Sequence, residues 1–429
     1  MRKLVKETLL AAMLLQAGTT LYAQDKQYTK EIKALADKPA VKKAFQSIIE
    51  MEPQTLSDHL LLTEIAAPPF KEMKRAEKYA TMMKAAGADS VWIDNVGNVL
   101  GKRKGKNSKK VVVLEGHLDT VFPEGTDVTV KHRGDTLAAP GIIDDTRALA
   151  IVLTILKAME KNSIETEADV LFCGVVGEEG QGDLRGVKNL FSDKGPGKID
   201  TYIAIDGWDM ESITHRGLGS HRYNITFKGP GGHSSGAFGL ANPHNALGRV
   251  IHYWAVAADS LTRQPGERLT YNVGVIGGGT SVNSIPFESW MEVDMRSESP
   301  QRVAAADKLL QEAVQRGLLE ENQMKRAGAD LTVDVKLIGD RPSGGLDSNL
   351  AVIQRAKAAI AFIGGSPKLR VGSTNSNIPI SKGIPAITMG SGGKGGNAHA
   401  LQEWWINDNG YLAIQRTLLV LLAEAGLAK

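Results

Sequence analysis

Five side chains able to hold a divalent cation, His117, Asp144, Glu179, Asp206 and His399, are scattered along the sequence, most of them just after apolar strand-like runs or glycine-rich turns. VVVLEGHLDT carries His117 and Asp119, GIIDD carries Asp144 and Asp145, and VLFCGVVGEEG carries Glu178 and Glu179. TYIAIDG carries Asp206 and GGNAH carries His399. Strands of a parallel sheet end in loops where polar groups converge, so carboxylates and imidazoles remote in sequence can meet around cations. Together they read as a two-metal hydrolase site, in which paired cations bind one water, lower its pKa toward neutrality and polarise a scissile carbonyl. A single strand-end Asp or His is usually a cap or a hydrogen-bonded core group; the ordered set of five carries the inference.

The elements that must position these groups are visible as periodicity. Residues 28–88 show three-to-four-residue apolar spacing in LSDHLLLTEIAAPPF and MKRAEKYATMMKAAG, which predicts helices. Strand-like VWIDNVGNVLGKR, VVVLEGHLD, ADVLFCGVV and IDTYIAID then alternate with helical TRALAIVLTILKAMEK and LRGVKNLFSDK, an α/β pattern with a mainly parallel sheet and helices on both faces. From Thr214 the character changes. SHRYNITFKG, YNVGVIGG, SWMEVDMRS and LTVDVKLIG, with helical stretches at NALGRVIHYWAVAADSL and 300–318, predict an inserted α+β domain of four strands and two helices over 214–339. The pattern of the first domain resumes at 340, so the catalytic domain is expected to be discontinuous, 24–213 and 340–429.

Composition bounds the function. A chain of 429 residues, 42% hydrophobic and 23% charged, is that of a globular enzyme too long for one ordinary core. A net charge of +3 spread over both signs predicts no nucleic-acid partner, and GKRKGKNSKK at 101–110 reads as a solvated turn between strands. Residues 1–23 read as a signal peptide: Arg2, Lys3 and Lys6 are a basic start, LLAAMLL a short apolar core, and Leu21-Tyr22-Ala23 a cleavage site. Export to a bacterial periplasm, or secretion, is expected, without stable membrane insertion because the apolar stretch is short. Cys173, alone in the sequence, lies in an apolar run and is expected to be a small buried residue.

The order HLDT, GIIDD, GEEG, Asp206, then GPGGHSS and GGTSVNSIP in the inserted segment, then GSTNSN and NAH, resembles the di-zinc aminopeptidase and amidohydrolase superfamily of peptidase T, the glutamate carboxypeptidases, aminoacylases and succinyl-diaminopimelate desuccinylase. Within it the chain looks most like peptidase T-like exopeptidases. Thr146-Arg147 departs from the Lys-Gly of many relatives. The resemblance implies that Asp144 bridges two zinc ions, with Co2+ or Mn2+ able to substitute. His117 and Asp206 would complete one shell, Glu179 and His399 the other. It puts Asp119 behind His117, its carboxylate accepting the other imidazole N–H and so fixing the tautomer. It also implies a strained or cis Asp144-Asp145 peptide, as in relatives. Glu178 and Glu179 are adjacent and point in different directions from an extended backbone, which allows Glu178 to be the general base while Glu179 is a ligand. By the same resemblance His233 reaches the active site of a partner subunit in a homodimer formed through the inserted domain, to stabilise the tetrahedral oxyanion. Asn283 and Arg296 would bind substrate carbonyl or carboxylate groups. His59, His132, His215, His221, His244 and His252 carry no comparable motif and are expected to be structural. The Gly-rich SGGKGG and the GSTNSN run can bring backbone N–H groups near a substrate. The activity implied is removal of an N-terminal residue from short peptides, or cleavage of dipeptides, by a metal-bridged hydroxide. A carboxypeptidase or N-acyl-amino-acid deacylase with the same metal site is the alternative, and a non-catalytic peptide-binding relative is a further one, against which the intact Glu178 argues.

Overall fold

A computed structural model describes residues 26–428. The expected signal peptide at 1–23 lies outside the described residues. Among the described residues two compact units are present, the first comprising 26–215 with Leu346–Arg370 and 374–428, the second Arg216–Gly345 with Val371–Ser373. Among the described residues no helix is long and apolar enough to cross a membrane.

The first unit is built on a mixed sheet whose strands run in the spatial order Ser90–Ile93, Val99–Arg103, Asp169–Val175, Val111–His117, Thr201–Ile205, Ala386–Met389 and Ser212–Gly217. The four strands from Asp169–Val175 through Ala386–Met389 are mutually parallel. Each is almost wholly buried, the expected consequence of covering both faces of a parallel sheet, and this is why their sequences are continuous apolar runs rather than alternating ones. Helix Thr146–Lys161 is apolar nearly all round and packs against the Val111–His117 strand. Gly116 makes the approach possible: a Cβ there would stand 2.8 Å from the Ala148 Cβ and 3.1 Å from Asp145 Oδ2. Helices Pro39–Glu50, Glu52–Thr63 and Met73–Ala85 follow the periodicity read from the sequence. GKRKGKNSKK forms the end of one strand and the turn leading to the next, and Cys173 is fully buried.

The second unit is a four-stranded antiparallel sheet, in the order Leu269–Gly278, Glu288–Ser297, Gly219–Lys228 and Thr332–Arg341, with helices Pro243–Thr262 and Pro300–Met324 on one face. Strand Glu288–Ser297 alternates strictly, burying Met291, Val293 and Met295 beneath the helices while Trp290, Glu292 and Asp294 face the other way. Both helices open with side-chain caps, Asn242 accepting from the His244 N–H and Ser299 from the Arg302 N–H. Helix Pro300–Met324 runs six residues beyond the stretch expected from sequence.

Candidate metal centre

Three neighbouring parallel strands deliver the site. His117 ends one strand and lies in register with Val175, the last residue of the next, after which the chain turns through Gly177 into Glu178 and Glu179. On the other flank, Ile205 ends its strand and Asp206 follows. Asp144 and Asp145 come from the turn before helix Thr146–Lys161, joined by a cis peptide bond. His399 comes from the loop after Lys394–Gly396, where its φ of 68° places a non-glycine residue in the left-handed region. Such conformations are held against a local cost by surrounding structure and cluster at functional sites.

These groups converge. His117 Nε2 lies 2.8 Å from Asp144 Oδ1, and His399 Nε2 lies 3.0 Å from Asp144 Oδ2 and 2.9 Å from Glu179 Oε1. Two clusters of mutually close ligand atoms result, His117 with Asp144 and Glu179, and His117 with Asp145 and Asp206. Asp144 therefore presents one oxygen to each imidazole, the disposition a shared ligand requires. Asp145 Oδ2 accepts the backbone N–H of His117 at 2.9 Å, while its buried Oδ1 has no hydrogen-bond partner among the described residues.

The donor set fits metal ions, and hydrogen-bond logic shows why. His117 Nδ1 is 3.0 Å from the main-chain oxygen of Asp119, an acceptor only, so Nδ1 carries a proton. In the neutral ring the Nε2 lone pair then faces the lone pairs of Asp144, and two acceptors at 2.8 Å repel unless a cation lies with them. The titration behaviour carries the same signal. Burial would lower the His117 pKa, yet the charge of Asp145 and the nearby carboxylates of Asp119 and Asp144 push it well above its ordinary value. His399, hydrogen-bonded first to Asp144 and then to Glu179, is raised to about 11. Asp206 is pushed to about 7 by burial and by the charge of Asp144. Carboxylates crowded out of water in this way demand positive charge.

Asp119 departs from expectation. Its carboxylate was expected to accept the His117 N–H, but the nearer acceptor is the Asp119 carbonyl oxygen, with Oδ1 at 3.7 Å. The carboxylate is drawn instead to two backbone donors, the N–H groups of Glu178 at 3.1 Å and Glu179 at 2.8 Å. Burial alone would raise its pKa; the His117 imidazole beside it and the hydrogen bonds from those two amides hold it below the usual range. One side chain thus locks the glutamate turn to the histidine strand. Glu178 and Glu179 are both buried, and adjacent positions send their side chains different ways.

Sequence reasoning missed Glu403. Fully buried, it accepts the N–H groups of Gly141 at 3.1 Å, Ile143 at 2.6 Å and Asp144 at 3.1 Å, and so fixes the turn that aims Asp144. It also missed Arg75, whose buried guanidinium donates to the oxygens of Leu118 and Ile65. His59, expected to be structural, has its Nε2 2.6 Å from the Ile142 oxygen. No local pattern marks these three; each acts through residues far away in sequence. Thr374 to Asn377 of the GSTNSN run are buried, and Asn375 donates to Glu115.

In the second unit His233 and Ser284 pair across two short strands, and the Ser234 N–H donates to the Asn283 oxygen. The exposed His233 ring accepts the N–H groups of Ser235 and Gly236 on Nδ1, both at 3.2 Å. In the neutral ring the proton therefore sits on Nε2, the form needed to donate to an oxyanion. Asn283 is exposed and accepts from the Ser281 hydroxyl at 2.5 Å. Arg296 is engaged by Asp294, Nε to Oδ2 at 2.8 Å, on the sheet face away from the helices.

The comparisons with known proteins agree with this geometry. The family model described as Peptidase family M20/M25/M40 matches residues 113–424. Carboxypeptidase G2 of Pseudomonas sp. (strain RS-16) is 26% identical over 340 residues, 76% of each chain. A tripeptidase from Staphylococcus aureus subsp. aureus mu50 superposes with a TM-score of 0.68 at 21% identity, covering 87% of this chain and 99% of that one. The di-peptidase Dug1p from Saccharomyces cerevisiae gives 0.71 at 16% identity, covering 91% and 99%. At these identities the two solved structures speak for the fold.

Proposed function

This chain belongs to peptidase family M20/M25/M40 and is a metal-dependent hydrolase of peptide or amide bonds, and on that premise we propose that it is an exopeptidase of short peptides, releasing an N-terminal residue or splitting dipeptides. The observation that carries the reading is the tautomer-locked His117 facing Asp144, which His399 faces from the other side. Asp144 would be shared between two zinc ions, with His117, Asp145 and Asp206 on one side and Glu179 and His399 on the other. Bound there, the ions would acidify a water and polarise the scissile carbonyl. Glu178, its backbone pinned by Asp119, accepts the proton of the attacking water and returns it to the leaving amine. His233 of a second copy of the chain donates its Nε2 proton to the carbonyl oxygen as charge develops there, so the working unit is a homodimer. Asn283 and Arg296 bind the substrate's carbonyl or carboxylate groups, and the protein acts after export.

The test is a mixed library of di-, tri- and N-acyl-peptides with zinc-loaded protein, the products identified by mass spectrometry. Release of free N-terminal residues supports the reading; an inert library refutes it. A carboxypeptidase or deacylase is the second reading, favoured by the likeness to carboxypeptidase G2, and cleavage from the C-terminal or acyl end in the same experiment would establish it.

A further inference from the structure

A small antiparallel sheet of the first unit, Lys394–Gly396, Trp404–Ile406, Thr136–Ala138 and Lys131–Arg133, turns one face to the core and the other to a cavity of about 760 Å³. Leu137 and Trp405 alternate inward and join the core. Their neighbours Trp404, Ile406, Thr136, Ala138, Lys131 and Arg133 line the cavity. The register sets them in two rows, Trp404–Ala138–Lys131 and Ile406–Thr136–Arg133, about 7 Å apart along the strands. Gly396 lies opposite Trp404, where a Cβ would come within 3.0 Å of the indole nitrogen, so the glycine leaves the ring its place.

The cavity is tied to the metal centre by two segments. Beyond Ala138 the chain continues through Ala139 and Pro140, both lining the cavity, to Asp144; before Trp404 it comes from His399 through Leu401 and Gln402, which also line it. Both segments leave the sheet at the Trp404–Ala138 row, so that row is proximal to the ligands and the Arg133 row is distal. The charges are uneven. Lys131 is paired with Asp127 at 3.2 Å, whereas Arg133 has no acidic partner among the described residues. The proximal row offers an aromatic wall, the distal row a cation without a counter-charge.

We infer that this cavity is the subsite for the downstream end of the substrate, taking an apolar side chain against Trp404 and Ala138 and the terminal carboxylate at Arg133, which leaves Asn283 and Arg296 to the substrate's carbonyl groups. The inference rests on the exopeptidase reading and names its substrate class, short peptides with an apolar residue at a free C-terminus. Its volume lies within the roughly 300–1,000 Å³ typical of ligand sites, and a guanidinium recognises a carboxylate through paired hydrogen bonds.

The test is calorimetric binding of Ala-Ala-Phe and its C-terminal amide to zinc-loaded protein carrying Glu178→Gln, in which the peptide persists. The free acid should bind about tenfold more tightly than the amide, and adding Arg133→Ala should abolish the difference by weakening the acid alone. Ala138→Trp, which fills the proximal row, should weaken both peptides. Equal binding of acid and amide, a preference that survives Arg133→Ala, a folded Ala138→Trp protein that binds as its parent does, or no binding at all overturns the subsite. Mass spectrometry of the same peptides with the unsubstituted enzyme separates the two readings. Binding in the expected pattern without cleavage sinks the exopeptidase and leaves the subsite; cleavage without the pattern does the reverse.

Discussion

Replacing Glu403 by alanine should damage the metal centre although Glu403 is not one of its ligands. The carboxylate accepts three backbone N–H groups, from Gly141, Ile143 and Asp144, and is wholly buried. A buried donor left without a partner costs about 1–3 kcal/mol, and water entering the space vacated by the side chain recovers part of it, so the loss should be about 3–5 kcal/mol. Against a total stability of roughly 5–15 kcal/mol this is large, and it should lower Tm by on the order of 10 °C. Because the freed amides lie in the turn that aims Asp144, the ligand shifts as well, and a displacement of about 1 Å is enough to cost roughly 10²-fold in kcat. Glu403→Gln should fall between, since its amide keeps one acceptor oxygen but turns a donor toward one of the N–H groups. Calorimetric melting with and without added zinc, together with metal content and peptide hydrolysis, measures all three effects. An alanine variant that melts within 2 °C of the parent and holds its normal metal would refute the reasoning.

Purified protein should contain about two zinc equivalents per chain and lose activity on chelation, with Asp144→Ala emptying both sites; full activity after thorough demetallation is the contrary result. Glu178→Gln should lower kcat by roughly 10²–10⁴ at near-normal metal content, whereas Glu179→Gln should weaken a metal site, and the reverse pattern would exchange their roles. Glu178→Ala and His233→Ala proteins should each be nearly inactive, yet an equal re-associated mixture should regain about a quarter of the parent activity, because one site in each mixed dimer is whole. No recovery despite measured subunit exchange would place His233 outside a partner's site. His221 has a raised pKa, first from the hydrogen bond with Asp340, with Asp307 also facing it. A base whose folded pKa is raised contributes stability that is complete below its unfolded value, about 6.5, and is lost as pH rises through the folded one. The Tm gap between the parent and His221→Gln should therefore narrow from pH 6 to pH 9, and a constant gap would remove His221 from the pH dependence.

Much of the catalytic unit could be read from local chemistry. Continuous apolar runs ending in His117, Glu178–Glu179 and Asp206 signal buried parallel strands, because only a sheet covered on both faces makes such runs favourable, and parallel strands bring their carboxyl ends together. Strict alternation in SWMEVDMRS likewise signals a strand with one face under helices. Partner choice across the fold was not written locally. Whether His117 Nδ1 meets the Asp119 carbonyl or its carboxylate depends on how the chain turns after the strand, and that turn is set by amides 59 and 60 residues further on. Glu403 lies about 260 residues from the amides it holds, and nothing in ALQEWW distinguishes it from a solvated acid. Sequence fixes which donors and acceptors exist and their period along each strand or helix. Only the packed chain decides which of them meet, because a hydrogen bond a few tenths of an ångström longer or shorter is settled by contacts between segments that have no common local pattern.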